Sequence, residues 1–144
     1  MKVRFRKGYI LLITPSLVRF LGTLTTGESY AKGFALFPFI GVTKEEFMQP
    51  WLINHELIHF RQSLELLFVG HMLLSFVERI YARFVLKMNK MERYLYAAAE
   101  QEAYRNQHDP EYLKNRKPWS VFWYVRNKRE FTFGEKLGDI VYLD

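Results

Sequence analysis

The segment of residues 50–68 constrains the fold most, because it is predicted to form one helix with almost no polar face. Pro50 suits the first helical position, where its missing N–H would lack a partner in any case, and no helix breaker follows before Phe68. Apolar side chains occur nearly all round this helix, at Leu52, Leu57, Phe60, Leu64, Leu66 and Leu67. A helix of this kind is buried in a globular protein. We therefore expect it, and the polar residues that it carries, to lie inside the fold.

The predicted helix carries the pattern His-Glu-x-x-His at His55, Glu56 and His59. Residues four apart lie one above the other on a helix, so both imidazoles can reach one ion at about 2.0 to 2.1 Å. The chain has no cysteine, so a zinc ion would have to be bound by nitrogen and oxygen ligands. We expect a single Zn²⁺ ion here, with Glu56 as the general base that activates a metal-bound water. The alternative is a chance match with two ordinary helix histidines, which burial disfavours because buried imidazoles need partners.

Glu100 is the favoured third ligand, because a catalytic zinc ion is usually held by three protein side chains. It follows three consecutive alanines, residues 97–99, which would let a helix over residues 91–106 pack closely on the first helix. Glu102 competes for this role. The two carboxylates differ by about 200° around a helix, so we expect one to face the metal and the other to be solvated or paired with a residue such as Arg105.

His71 is a further nitrogen donor, but its spacing disfavours it as a ligand. It lies twelve residues after His59, about 18 Å along a continuous helix. It could therefore reach the ion only if the chain reversed at Gly70. We expect His71 to be a core or helix-terminus histidine.

Three polar side chains are candidates for supporting roles. Tyr104 shares a helix face with Glu100, where its hydroxyl could orient a ligand or stabilise an oxyanion, although a packed aromatic ring would show the same spacing. Asn54 and Gln62 flank the motif and could hydrogen-bond to the ligands, or they could be ordinary helix-surface residues.

The rest of the chain predicts one α+β domain that is mainly helical. Its 144 residues, 49% of them hydrophobic and 17% aromatic, are enough for a packed core. In residues 1–42 we expect short strands or extended segments, at Tyr9–Ile13 and over residues 33–42. Pro38 lies inside the second run and cannot donate to a central ladder, so this run should be an edge strand.

Residues 43–126 are expected to form the helical part of the domain, and residues 127–144 a tail. The spacing of residues 43–46 fits a capping box. Further helices are predicted over residues 71–87, 91–106 and 118–125. The tail beyond residue 130 gives no clear pattern.

The chain is expected to be cytoplasmic, with peripheral contact at the inner membrane as an open possibility. Basic residues precede Tyr9–Ile13 as in a signal peptide, but Pro15 and Arg19 interrupt the apolar region, which favours a first strand. The longest uncharged apolar run, residues 66–77, is 12 residues long, whereas a spanning helix needs about 20. It suits a buried helix or, second, a membrane-surface or re-entrant segment. The net charge of +6 would permit nucleic-acid binding, but no recognition motif supports it.

Two runs, residues 54–62 and 100–104, resemble the two-part signature of glutamate-type zincins, most closely the membrane-associated CAAX-prenyl-type endopeptidases and the peptidase domain of β-lactam sensor-transducers. In those families the first Glu of a Glu-x-x-Ala-Asp or Glu-x-x-Cys-Asp element is a metal ligand, which matches Glu100. Tyr104 stands where the family has Asp, so a usual supporting carboxylate is missing. Residues 36–39, 55–62, 100–104 and 112–116 together are also similar to a family of small bacterial proteins without an assigned function. The first resemblance implies a minimal zincin-like fold and peptidase activity.

Two functions follow as expectations. The first is a zinc-dependent hydrolase, a metallopeptidase whose peptide or protein substrate lies along an edge strand near residues 34–40. The alternative is a non-catalytic, metal-stabilised module that binds a partner or a membrane surface. Its contact residues would be Trp119, Phe122, Trp123 and Tyr124, beside Lys117 and Arg126. The same aromatic residues would also suit a core helix.

Overall fold

A computed structural model describes residues 2–6, 8–26, 33–36, 38–44 and 49–128. Over these residues the strands are β1 (Lys2–Arg6), β2 (Tyr9–Ile13), β3 (Gly33–Leu36) and β4 (Phe39–Val42). The helices are α1 (Pro15–Thr26), α2 (Pro50–Glu65), α3 (Val69–Phe84), α4 (Lys90–Tyr96), α5 (Ala98–Asn106), α6 (Tyr112–Asn115) and α7 (Val121–Arg126). The prediction of an α+β, mainly helical fold is confirmed.

The strands form one sheet in the order β1-β2-β4-β3. β2 and β4 are parallel, whereas the outer strands pair antiparallel with their neighbours. Parallel neighbours need a crossover connection, and α1 lies within it. The expectation of strands and extended segments in residues 1–42 is therefore wrong for Pro15–Thr26, where Pro15 begins a helix.

The predicted single edge strand over residues 33–42 is also wrong, because it is a hairpin. Pro38 lies in the turn between β3 and β4, and its carbonyl accepts a hydrogen bond from the backbone N–H of Ile10 at 2.8 Å. A proline in the turn needs no ladder donor, so β4 can be an inner strand, buried from Ile40 to Val42. Among the described residues, only the β3 half of the run is an outer strand.

The helices follow the predicted order, but the one expected over residues 91–106 is broken at Ala97. The backbone of Ala97 is extended, with φ −57° and ψ 132°, and it separates α4 from α5. Tertiary contacts satisfy the backbone groups at the break: Glu78 accepts from the N–H of Ala98, and Lys128 donates to the carbonyl of Tyr96. These two contacts between residues far apart in the chain stabilise the break, although the local sequence favours a continuous helix over residues 91–106.

The chain reverses direction between α2 and α3. Leu67 and Phe68 have φ angles of 52° and 56°, in the left-handed region that costs non-glycine residues free energy. The reversal comes before Gly70, so α3 folds back beside α2 and the assumption of a continuous helix to His71 does not hold. The capping box predicted over residues 43–46 and most of the tail of residues 127–144 lie outside the described residues.

Two apolar clusters enclose α2. One joins the sheet to α2 through Leu11, Ile13, Ile40, Val42 and Leu52. The other joins α5 to α7 through Ala98, Ala99, Val121 and Tyr124, with Leu66 and Leu74 packed against it. Of the helices in the described ranges, none combines the length and the hydropathy needed to cross a bilayer.

Candidate metal centre

The site forms where α2 meets α5. α2 packs against β3 on one side and against α5 on another. Ala98 and Ala99, in the first turn of α5, are buried and small, so the two helices approach closely. His55 and His59 on α2 therefore face Glu100 on α5, and all three residues are largely buried.

Three donor atoms of these residues form a nearly regular triangle. The Nε2 atoms of His55 and His59 are 3.1 Å apart, and Oε2 of Glu100 lies 3.6 Å from the first and 3.5 Å from the second. Ligands held about 2.0 to 2.1 Å from a tetrahedral zinc ion lie about 3.3 Å from one another. The triangle therefore has the size that one such ion requires.

The tautomer of His59 follows from its contact with Gln62. The side-chain amide of Gln62 donates to the carbonyl of Ala99 and to the carboxylate of Glu102, at 3.1 and 3.0 Å. Both partners only accept, so the Gln62 oxygen must be the atom that lies 2.8 Å from Nδ1 of His59. Nδ1 must then carry a proton, and the lone pair of Nε2 points at the centre of the triangle.

His55 is held in the same way by Gln107, whose side-chain oxygen lies 2.9 Å from Nδ1 of His55. Gln107 follows the end of α5, where the amide of Asn54 donates to the carbonyls of Asn106, Gln107 and Asp109. Asn54 thus fixes the loop that supplies Gln107, and it does not itself contact a ligand. With both Nδ1 atoms donating, two Nε2 lone pairs face each other, which is unfavourable unless a cation or proton lies between them.

The charge of the site also favours a cation. Oε2 of Glu100 is buried and has no hydrogen-bond partner among the described residues. Burial alone would raise the pKa of Glu100, but His59 and His55 hold it well below its usual value. Burial alone would lower the pKa of His59, yet the Glu100 carboxylate, with smaller contributions from Glu56 and Gln62, raises it to about 9. The buried carboxylate thus draws positive charge into the triangle, and these residues fit a divalent ion.

Glu56 lies beside the triangle and against β3. Burial raises the pKa of its carboxyl, an effect that His55 and His59 oppose and Glu100 reinforces. A Cβ atom built on Gly33 would lie 2.5 Å from Oε1 of Glu56, so the glycine at the start of β3 leaves room for this carboxylate. The raised pKa suits a group that accepts a proton near neutral pH.

Glu102 takes no part in the triangle. It is fully buried and accepts hydrogen bonds from Gln62, Tyr112 and Arg116. Its cationic partner is Arg116, not the predicted Arg105, and Arg116 also binds Glu65 near the end of α2. Because Glu102 fixes the Gln62 amide, it acts on His59 through one intermediate side chain.

Tyr104 reaches the site through its ring, which packs edge-on against His55 with the centroids 4.8 Å apart. Tyr94, in α4, packs edge-on against Tyr104 with the ring centroids 6.5 Å apart, and burial, together with Glu100 and Tyr104, raises the pKa of Tyr94 well above its usual value. On a continuous helix Tyr94 would lie about 240° from Glu100, so the sequence indicated no such contact. The break at Ala97 brings Tyr94 to the site.

His71 returns to the site because the chain reverses after α2. Its ring stacks on His59 with the centroids 6.1 Å apart, and its Nδ1 lies 2.7 Å from the hydroxyl oxygen of Ser63. It is not part of the cluster whose donor atoms all lie within 4.8 Å of one another, which consists of His55, His59 and Glu100. Sequence reasoning also missed Gln107, which lies 52 residues from His55 and matches no motif.

Comparison of the chain with protein-family models, with curated proteins and with solved structures gives no match. The fold and the His55, His59 and Glu100 cluster therefore rest on the chain's own residues. The resemblance to glutamate-type zincins stays a prediction.

Proposed function

We propose that this protein is a metal-dependent hydrolase, a metallopeptidase with one zinc ion held by His55, His59 and Glu100. The observation that supports this most directly is the triangle of two imidazole nitrogens and one orphaned carboxylate oxygen, with sides of 3.1 to 3.6 Å. Nitrogen and oxygen ligands in this ratio suit zinc. When bound, the ion would act as a Lewis acid and lower the pKa of a water molecule towards about 7.

Glu56 is the proposed general base. Its carboxylate interacts electrostatically with all three residues of the triangle, and burial keeps its pKa above the usual value. A carboxylate of this kind can take a proton from the attacking water and pass it to the leaving amine. Hydrolysis of a peptide bond needs both transfers, and one group can serve for both.

The proposed path of the substrate is the outer strand β3. The site helix α2 packs against β3, and Glu56 touches the position of Gly33. An extended peptide can pair with an outer strand through its main chain, which would bring a carbonyl close to Glu56. The sequence predicted that the substrate lies along an edge strand near residues 34–40. Because β4 is an inner strand, only Gly33–Leu36 of that run is proposed to pair with the substrate.

The decisive experiment compares Glu56→Gln with the unaltered protein on casein and on a mixture of fluorescence-quenched peptides. We expect the variant to keep one zinc ion per chain and to lose cleavage by about 100-fold or more, since general-base catalysis contributes about 10² to 10⁴-fold. Glu111→Gln, which alters an exposed carboxylate paired with Lys114, is the matched control and should cleave normally. Equal turnover by Glu56→Gln and the unaltered protein would refute the role of Glu56. A zinc-loaded wild-type chain that cleaves none of these substrates would favour the non-catalytic, metal-stabilised module.

A further inference from the structure

The helix α3 turns several polar side chains towards the protein and large apolar side chains towards the outside. The residues that face the protein include His71, Ser75 and Glu78, and Glu78 is buried in contact with Lys128 and the N–H of Ala98. The outward side carries large apolar residues, which we call the α3 face. It consists of Met72, Leu73, Phe76, Val77, Ile80 and Phe84, all of them exposed.

The residues of the α3 face recur at spacings of three and four, so they form a continuous stripe along the helix. Met72 is 74% exposed and Phe76 61%, although burying a side chain of this size contributes about 1.5 to 3 kcal/mol. Soluble monomers seldom leave a contiguous apolar patch of this kind in water. The stripe therefore indicates a surface that something else covers.

The charges beside the stripe indicate what covers it. A groove next to the α3 face is lined by four cationic side chains and, among the described residues, by no acidic one. The cationic residues are Arg79, Arg83, Lys90 and Arg93. Phe76 and Phe84 lie in the same groove, so apolar and cationic groups meet there. This combination is complementary to the boundary of a bilayer, where acyl chains meet anionic headgroups.

A second exposed aromatic group lies on α7 and in the turn before it. Trp119 and Trp123 are more than half exposed, and Trp119 stacks on Phe122. The helix that carries Trp123 packs on the cluster that Leu74 of α3 also contacts. Tryptophan is enriched at the interface between lipid and water.

We propose that the α3 face binds the surface of a membrane that contains anionic lipids, with α3 lying in the plane of the headgroups. A second copy of the chain fits less well. A contact between two copies through the α3 face would bring two grooves, each lined by cations and by no described acidic residue, into one interface, and like charges destabilise such a contact. The proposal is independent of any hydrolase activity.

The test is flotation of the full chain with vesicles of phosphatidylcholine alone and with vesicles that also contain phosphatidylglycerol. We expect binding to the anionic vesicles, weakened by salt. Leu73→Ser combined with Phe76→Ser should weaken the binding to anionic vesicles by about 100-fold. Each substitution removes an apolar side chain whose transfer into the membrane contributes roughly tenfold to the affinity. Phe5→Ser, at an even more exposed phenylalanine in β1, is the matched control and should bind normally.

A second pair of substitutions keeps the test valid if the apolar variant folds poorly. Arg83→Gln with Lys90→Gln removes two cations of the groove, leaves the stripe intact and should weaken binding about fivefold per cation removed. Three results would overturn the proposal: equal binding to neutral and anionic vesicles, no binding to either, or a dimer in sedimentation that Phe76→Ser dissociates. The last would assign the α3 face to a second copy of the chain.

Discussion

The helices α2 and α3 are consecutive and each has 16 residues, yet they use their side chains in opposite ways. α2 buries His55, Glu56, Gln62 and Ser63 together with its apolar residues, and the polar side chains are arranged around one point. α3 directs polar groups inward and leaves its apolar side exposed. Burial of polar groups costs free energy unless each finds a partner. The proposed metal site would account for the polar side chains that α2 buries. The proposed membrane contact would cover the exposed apolar side of α3.

The largest expected effect comes from removing one of the proposed metal ligands, which tests the interpretation of the buried polar side of α2 as a metal site. His55→Ala or Glu100→Ala should abolish stoichiometric zinc, measured by elemental analysis after dialysis, with affinity lowered beyond the 10 to 100-fold typical of supporting residues. His71→Asn is the matched control, because His71 stacks on His59 without joining the triangle. Full zinc content in His55→Ala would refute the site.

The second effect tests the support of the site through Glu102. Glu102→Ala removes one of the two carboxylates that pair with the buried guanidinium of Arg116 and leaves Glu65 as the other, so the free energy of unfolding should fall by about 1 to 3 kcal/mol. Zinc affinity should fall by about 10 to 100-fold, because the Gln62 amide is no longer fixed against His59. Both quantities are measurable, by chemical denaturation and by titration with a competing chelator.

The control for Glu102 is the exposed pair of Glu111 and Lys114. Glu111→Ala removes a carboxylate that lies 2.9 Å from Nζ of Lys114, but exposed pairs contribute about 0 to 1 kcal/mol. A loss for Glu102→Ala no larger than that of the control would contradict the assigned role.

A smaller effect tests the contact between α2 and the sheet. Gly33→Ala would place a methyl group against the carboxylate of Glu56, which must then shift, since the built Cβ lies 2.5 Å from Oε1. We expect kcat to fall by about 10 to 100-fold while the zinc content stays at one per chain, because misplacement by about 1 Å has such effects. Gly8→Ala is not a suitable control, because Gly8 has a φ of 93°. Ala35→Ser, in the same strand, is the better control. A normal kcat in Gly33→Ala would contradict a catalytic role for Glu56.

The helix α2 and the cluster on its buried side could be predicted from the sequence, because both follow from helix geometry and from the pattern of apolar residues. The spacing of His55 and His59 follows from helix geometry, and the burial of the motif follows from the apolar residues round it. The angular separation of Glu100 and Glu102 meant that only one could face the two histidines, and Glu100 lies beside them. These steps need no knowledge of distant contacts.

The parts that could not be predicted depend on contacts between residues far apart in the chain. The break at Ala97 is stabilised by Glu78 and Lys128, which lie 19 and 31 residues away, and it determines the position of Tyr94. The carbonyl of Pro38, in the hairpin turn, accepts a hydrogen bond from Ile10, which lies 28 residues earlier in the chain. The polarity of α3 was missed because its periodicity indicates an amphipathic helix without indicating which side faces the core.

The smallest expected effect lies at the junction of the two helices. Leu67 is 80% exposed and has a φ of 52°, so it combines an unfavourable backbone conformation with an apolar side chain in water. Leu67→Gly should relieve the backbone and raise the free energy of unfolding by about 0.5 to 1 kcal/mol, after the greater freedom of glycine in the unfolded chain is subtracted. The same variant should bind anionic vesicles more weakly, because Leu67 precedes the α3 face. Greater stability with undiminished vesicle binding would show that the membrane contact stops short of the junction, whereas lower stability would mean that Leu67 packs in the folded chain.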